Sequence, residues 1–151
     1  MYMHTIVLIE PKIPQNTGTI ARLCAATNSK LLLVGELGFS LDDKYLKRAG
    51  LDYWNYVFWE HEPDLEYFLE KEKNSCPYLL SSKATKSYTN VSYSPNQSMW
   101  FGSETEGLSE RIKDQYKDQL VTIPMANKNI RSLNLANSVS IVLYEAIRQN
   151  T

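Results

Sequence analysis

Cysteine and histidine are scarce in this 151-residue sequence. Its two cysteines, Cys24 and Cys76, are too few for a disulfide framework or a zinc site, and we expect both to be buried or inert thiols. The two histidines, His4 and His61, have no partners at ligand spacing, so the sequence predicts no metal. Neither histidine lies near a cysteine or serine motif, which disfavours an activated nucleophile.

Long apolar runs and an excess of positive charge are also missing. The longest apolar runs, such as residues 6–9 and 31–34, fall far below the ~20 residues that span a bilayer. With no span and no signal-peptide pattern, we expect a cytoplasmic protein. The 16 Lys and Arg against 17 Asp and Glu give a net charge of −1. A general nucleic-acid coating protein is therefore excluded, and any RNA must meet a local basic patch, of which Lys44, Lys47 and Arg48 form the densest.

Short apolar runs alternating with helical patterns are what the sequence does contain. At 43% hydrophobic residues, it can bury one substantial core, and we expect a single domain over residues 1–151. The alternation predicts an α/β fold with a mainly parallel six-stranded sheet and helices on both faces. Strands are predicted at 5–9, 30–34, 56–59, 78–81, 99–102 and 121–124. Helices are predicted at 17–26 after an Asn16 cap, at 41–50, at 63–73, from about 108, and from 135 after a cap by Ser132 or Asn134.

Three polar loops, at residues 16–22, 102–107 and 126–134, each follow a predicted strand. Such loops meet at one edge of a parallel sheet, where ligands bind, and Gly102 would let the backbone approach a ligand closely. No Walker A or complete G-x-G-x-x-G sequence is present, so nucleotide hydrolysis and dinucleotide binding lose support. The residues alone leave other interpretations open, because Arg22 also fits a solvated helix arginine and the last loop a simple helix cap.

These loops resemble the three motifs of a known enzyme class. Their sequences are Asn16-Thr-Gly-Thr-Ile-Ala-Arg22, Phe101-Gly-Ser-Glu-Thr-Glu-Gly-Leu108, and Ile123-Pro-Met followed by Arg131-Ser-Leu-Asn-Leu-Ala-Asn-Ser138. In order and spacing they resemble the SPOUT class of RNA 2′-O-methyltransferases. The compact length and segment 42–53 are most similar to the TrmL/YibK group, which methylates the wobble nucleotide, cytidine or uridine-type, of leucine tRNAs.

The resemblance implies an architecture and partners. It implies a C-terminal trefoil knot, in which the last strand, loop and helix thread an earlier loop, and a homodimer. Leu135, Val139 and Val142 would then belong partly to the subunit interface. The expected RNA partner is the anticodon stem-loop of leucine tRNAs, and no membrane is expected.

The resemblance also implies a cofactor site and a set of catalytic residues. The cofactor is S-adenosylmethionine, the product S-adenosylhomocysteine, and no metal takes part. Arg22 is implied to act on the ribose hydroxyl, while Asn16, Glu104 and Asn134 position loops or substrate. Tyr144 resembles a tyrosine near the dimer site, with structural packing as the other interpretation. The cofactor-binding residues would be Leu80, Gly102, Ile123, Met125, Ser132 and Leu133.

Arg22 is a poor candidate for the general base that the family resemblance suggests, because a guanidinium stays protonated. Our hypothesis is that it orients the ribose and the adjacent phosphate bidentately, while the proton leaves to water or a phosphate oxygen. Two competing functions stay open: a SPOUT-fold RNA-binding module, or a methyltransferase acting on another RNA site. An oxidoreductase is disfavoured by the missing glycine fingerprint.

Overall fold

The computed structural model describes residues 4–151, apart from the side chains of residues 50–52. Six strands form one sheet: β1 (Thr5–Ile9), β2 (Lys30–Val34), β3 (Phe58–Glu62), β4 (Tyr78–Leu80), β5 (Ser98–Phe101) and β6 (Leu120–Val121). Their order is β3-β2-β1-β5-β4-β6, and every neighbouring pair is parallel. The predicted parallel six-stranded sheet is confirmed.

Five α-helices cover both faces of this sheet, as predicted. They are α1 (Pro14–Thr27), α2 (Lys44–Gly50), α3 (Leu65–Lys71), α4 (Glu110–Gln115) and α5 (Leu135–Gln149). Ile20 of α1 and Val139 of α5 pack with Ile6 and Leu8 of β1 in one apolar cluster. Residues of α3 and α4 pack with the alternate residues of β1 in the other cluster. Burial on both faces explains why the central strand is a continuous apolar run.

The strand order fixes where polar loops can meet. From β1 the chain proceeds through β2 to β3 at one side, whereas β5 lies against the other side of β1. The loops that follow β1 and β5 therefore leave neighbouring strands at the same edge, where the direction of winding reverses. This is the position at which open parallel sheets bind ligands.

Helix α1 begins earlier than the sequence predicts. Its N-cap is Ile13, which makes no side-chain capping bond, and Pro14 occupies the first turn, so Asn16 lies inside the helix and is not its cap. Proline suits this position because its ring presets the helical φ and its missing N–H has no intrahelical partner there. The predicted cap at Asn16 is wrong because capping groups come from a distant loop, described below.

Several other boundaries differ from prediction, among them β6, which covers Leu120–Val121 and not 121–124, and α3, which covers Leu65–Lys71 and not 63–73. Two of the differences have a clear structural reason. Strand β3 covers 58–62 and not 56–59, because it pairs in register with β2 at the sheet edge, from Lys30 opposite Phe58 to Val34 opposite Glu62. Backbone pairing at a sheet edge needs no apolar side chains, so the apolar run at residues 56–59 predicted the wrong bounds for β3. Helix α2 begins at Lys44 and not at 41, since the Asp43 carboxylate accepts bonds from the backbone N–H groups of residues 45 and 46.

One burial prediction is corrected in the described structure. Leu135, Val139 and Val142 are buried within the single chain, so they belong to its own core and not to a subunit interface. Cys24 is buried, and burial raises the pKa of its thiol to about 12, as expected for an inert thiol. Cys76, in contrast, is exposed.

Candidate active site

Two of the three predicted loops meet through one carboxylate, and the third is joined to them through Asn16. Glu104 Oε1 accepts a hydrogen bond from the Lys12 backbone N–H at 2.8 Å, and Oε2 accepts one from the Ile13 N–H at 2.9 Å. Oε2 also accepts from Asn16 Nδ2 at 3.2 Å. Glu104 thus supplies the capping group that the N-terminus of α1 lacks locally, with its negative charge at the positive end of the helix dipole.

Asn16 links this carboxylate to the last loop. Its Oδ1 accepts a hydrogen bond from Asn134 Nδ2 at 3.1 Å, while Asn134 Oδ1 accepts from the Asn137 N–H and caps α5. The amide orientation of Asn16 is determined chemically, because a carboxylate can only accept and Nδ2 must face it. We call the series Glu104, Asn16 and Asn134 the polar relay. It ties the N-termini of α1 and α5 to the loop after β5.

The loop that presents Glu104 is a tight turn enforced by two glycines. A Cβ on Gly102 would lie 2.1 Å from the Gly107 carbonyl carbon and 2.3 Å from Leu108 N, so no side chain fits. Gly107 has φ +67°, and its N–H donates to the Ser103 carbonyl at 3.0 Å. Gly102 is therefore required by its own loop, which is a different reason from the ligand approach that the sequence suggested.

A cavity of ≈ 600 Å³ opens beside the relay at the same sheet edge. This volume lies within the usual range for small-molecule sites. Glu104 contributes to its wall, whereas Asn16, Arg22 and Asn134 are not among the lining residues. All six predicted cofactor-binding residues line it: Leu80, Gly102, Ile123, Met125, Ser132 and Leu133.

Charges of both signs surround this cavity. Lys12, Lys83 and Arg131 line it together with Glu104 and further acidic side chains. Sequence reasoning did not select Lys83, although its polar, basic segment directly follows β4, which is the available signal. Lys113 of α4 also lines the cavity and lies 2.9 Å from Glu110, whose pKa it lowers by hydrogen bonding. No local pattern marks Lys113, because the fold alone brings α4 to this edge.

Arg22 lies outside the cavity wall, exposed on α1. Its guanidinium carbon is 4.8 Å from the centre of the Tyr53 ring, within the range of a cation–π contact. The four predicted catalytic residues therefore do not lie together. Glu104 of the polar relay lines the cavity, whereas its relay partners Asn16 and Asn134 do not, and Arg22 is exposed on α1.

Among the side chains of residues 4–49 and 53–151, no group of three or more from His, Cys, Asp or Glu is arranged to hold a metal ion. The same part of the chain contains no helix that is both long and apolar enough to cross a membrane.

The sequence matches a known family over nearly all of its length. Residues 3–144 match the SpoU rRNA methylase family. This chain belongs to that family. The SpoU relatives include a tRNA (cytidine(34)-2′-O)-methyltransferase of Yersinia pestis, which is 46% identical over 153 residues, covering 97% of this chain and 94% of the relative.

Solved structures of SpoU and related methyltransferases share the fold. A structure described as giving insights into the 2-OH methylation of C/U34 on tRNA superposes with a TM-score of 0.91, at 37% identity, over 99% of this chain and 97% of that one. An AdoMet-bound rRNA methyltransferase of Sinorhizobium meliloti gives a TM-score of 0.87 at 23% identity, over 100% of this chain and 59% of that one. The SpoU family membership confirms the resemblance found in the three motifs.

Proposed function

We propose that this protein is a tRNA 2′-O-methyltransferase that transfers a methyl group from S-adenosylmethionine to the ribose 2′-hydroxyl of the wobble nucleotide, cytidine 34. The observation that carries the proposal is the cavity, because every residue that the family resemblance assigns to the cofactor lines it, beside the relay. The activity named for the Yersinia pestis relative supports the same reaction and the same nucleotide.

The residues present fit S-adenosylmethionine chemically. Leu80, Ile123 and Leu133 offer half-buried apolar surface for the adenine, and the neighbouring backbone supplies hydrogen-bonding groups. Walls with both charge signs suit a ligand that carries a carboxylate, an ammonium and a sulfonium. When bound, this cofactor supplies an electrophilic methyl group and leaves as S-adenosylhomocysteine, so the proposal requires no metal.

The polar relay is assigned a positioning task in this proposal. The three N–H groups that donate to the Glu104 carboxylate, and the bond from Asn134 to Asn16, engage both oxygens of the carboxylate and both ends of the Asn16 amide. We infer that Asn16, Glu104 and Asn134 hold the three loops in a fixed arrangement around the cavity. Fixed loops matter because an in-line displacement tolerates little misalignment between hydroxyl and methyl.

Arg22 is assigned to the RNA in this proposal. It is exposed and permanently charged, so it can donate bidentately to the ribose and the adjacent phosphate but cannot accept the proton. The proton leaves to water or a phosphate oxygen. Because Arg22 is outside the cavity wall of its own chain, the substrate must bridge α1 and a cavity.

Several finer properties belong to the same proposal. They are selection of leucine tRNAs through the anticodon stem-loop, acceptance of a uridine-type wobble nucleotide, action in the cytoplasm, and a C-terminal trefoil knot. A homodimer is also proposed. Tyr144 of α5 is 53% exposed and remains available for a subunit contact, unlike the buried residues of that helix.

The test is methyl transfer from labelled S-adenosylmethionine to total tRNA from cells lacking this protein, with the modified nucleotide located by mass spectrometry. Natural tRNA is used because a transcript lacks neighbouring modifications. A 2′-O-methyl group at position 34 is the expected result. Transfer only to another tRNA position, or cofactor binding without transfer to tRNA, would overturn the proposal in favour of another RNA site or of an RNA-binding module.

A further inference from the structure

The exposed arginine of α1 is held by an aromatic ring from another segment. Arg22 Cζ lies 4.8 Å from the centre of the Tyr53 ring, and Tyr53 belongs to a 3-10 helix, Leu51–Asn55, directly after α2. Among the described side chains, none forms an ion pair or hydrogen bond with Arg22. Among these side chains, the guanidinium of Arg22 is therefore held by the ring of Tyr53.

The segment that carries Tyr53 is anchored by the residues that directly follow the ring. The Tyr56 N–H donates to the Tyr53 carbonyl at 2.9 Å, closing the turn. Trp54 packs edge-to-face on Trp59 of β3, with ring centres 5.5 Å apart, and Val57 is buried in the core. Because its neighbours are fixed in this way, the Tyr53 ring has a defined position relative to α1 while remaining 37% exposed.

A ring is a suitable support for an arginine that must bind RNA. A carboxylate in the same position would neutralise the guanidinium and compete with a phosphate for its N–H donors. The face of an aromatic ring attracts the cation but carries no negative charge. It can restrict the arginine before RNA arrives, so that less side-chain freedom is lost on binding.

We propose that Tyr53 is a positioning residue that holds Arg22 in the orientation used for the tRNA ribose and phosphate. The inference rests on the proposed function, since it assigns Tyr53 a task through Arg22. It makes the ring of Tyr53, and not its hydroxyl, the feature that matters. Tyr53→Phe should therefore behave as the unaltered protein does, while Tyr53→Leu should not.

The experiment is a double-mutant cycle of Tyr53→Leu and Arg22→Ala, with Tyr53→Phe as the conservative variant. Tyr67→Leu is the matched control, because Tyr67 is an exposed tyrosine of α3 on the opposite sheet face. The readouts are the dissociation constant for tRNA and the single-turnover rate at saturating S-adenosylmethionine. Tyr53→Leu is expected to raise the dissociation constant for tRNA, lower the single-turnover rate, or both, by about two- to fivefold. This is the effect expected from losing a half-exposed cation–π contact. The same change in an Arg22→Ala background is expected to have no further effect.

An equal loss in both backgrounds would overturn the inference, since Tyr53 would then act independently of Arg22. No loss in the unaltered background would overturn it as well. If Tyr53→Leu unfolds in the assay, Tyr53→Gln replaces it in the cycle. S-adenosylmethionine affinity is expected to stay unchanged in every variant, because neither Arg22 nor Tyr53 lines the cavity.

A measurement without RNA separates this inference from the proposed function. The side-chain Nε–H resonance of Arg22 should be displaced by the ring current of Tyr53, should keep its position in Tyr53→Phe, and should move in Tyr53→Leu. If the Arg22 resonance does not move in Tyr53→Leu, the inference is refuted, whatever the methyl-transfer activity of that variant. Full methyl transfer by Arg22→Ala would instead refute the role proposed for Arg22, with the resonance still reporting the contact.

Discussion

The side-chain amide of Asn16 donates a hydrogen bond to the carboxylate of Glu104 at 3.2 Å, although 88 positions separate the two residues in the chain. The carboxylate also accepts from the last two backbone N–H groups before α1. The loop after β5 and the first helix are thereby a single structural unit at the edge of the cavity.

Glu104→Gln should destabilise the protein by about 1–3 kcal/mol, because an amide has one acceptor oxygen and leaves part of the donor set unsatisfied. Denaturant unfolding monitored by tryptophan fluorescence measures the change. Glu106→Gln is the control, since Glu106 lies exposed in the same turn and only its backbone N–H bonds to Ser103 Oγ. Equal stability of the two variants would show that the Glu104 carboxylate is not needed at α1.

Gly102→Ala should distort the turn and cost about 1–3 kcal/mol or more, because the added carbon would meet the backbone of residues 107 and 108. Gly107→Ala is the matched comparison. Its Cβ would meet nothing within 4 Å, but its positive φ should still cost about 1–2 kcal/mol. Calorimetry of both variants, with S-adenosylmethionine titration, checks the prediction. A Gly102→Ala protein with unchanged stability and cofactor affinity would contradict the packing described for this turn.

Leu133→Ala should weaken S-adenosylmethionine binding about five- to thirtyfold, equivalent to ~1–2 kcal/mol of lost apolar contact. Ile130→Ala serves as the control, because Ile130 lies in the same loop, is 52% exposed and is not a lining residue. Isothermal titration with S-adenosylhomocysteine avoids any dependence on turnover. Equal affinities for the two variants would place the cofactor elsewhere.

Arg22→Lys should lower the rate of methyl transfer to tRNA by about 10- to 100-fold, because lysine keeps the charge but loses the bidentate geometry. Cofactor affinity should not change, since Arg22 is outside the cavity wall. Arg111→Lys on α4 is the control, as Arg111 forms a bidentate pair with Glu66 and neither residue lines the cavity. Single-turnover kinetics make the comparison, and full activity of Arg22→Lys would exclude the bidentate role.

Stability should fall as the pH drops below about 6.5, the ordinary pKa of histidine, because burial lowers the pKa of His4 in the folded protein. Above that pH neither state binds the proton; below it the unfolded chain binds it first, which favours unfolding. His4 Nδ1 accepts from the Gln97 N–H, so His4→Asn keeps an acceptor and removes the titration. Denaturant unfolding between pH 7.5 and 5 should show a smaller decline for this variant. An identical decline would assign the effect to other groups.

A second pH effect lies in a separate, more acidic range. Hydrogen bonds from Arg148 and Gln149 lower the pKa of Glu145 to about 2. Its contribution is present above pH 4.5 and is lost as the pH falls toward 2. The two ranges do not overlap, so the His4 comparison above pH 5 is free of it.

Local sequence determined much of the fold. The bounds of β1 and β2 follow directly from their apolar runs. Asn134, the cap of α5, was one of two candidates, with Ser132, that their position before a helical pattern indicated. These features depend on side chains within a few residues of one another. The family resemblance likewise selected six residues for the cofactor, and all six line one cavity.

The tertiary structure alone decided what those motif residues contact. Glu104 provides the cap of α1, and Arg22 contacts the ring of Tyr53. The backbone that leaves no room for a side chain at Gly102 belongs to the same turn. Lys113 reaches the cavity wall only because α4 packs at that sheet edge. The local sequence specified helices, strands and candidate polar groups, because propensity and periodicity act between near neighbours. Which donor meets which acceptor depended on the strand order, which brings together groups up to 118 positions apart.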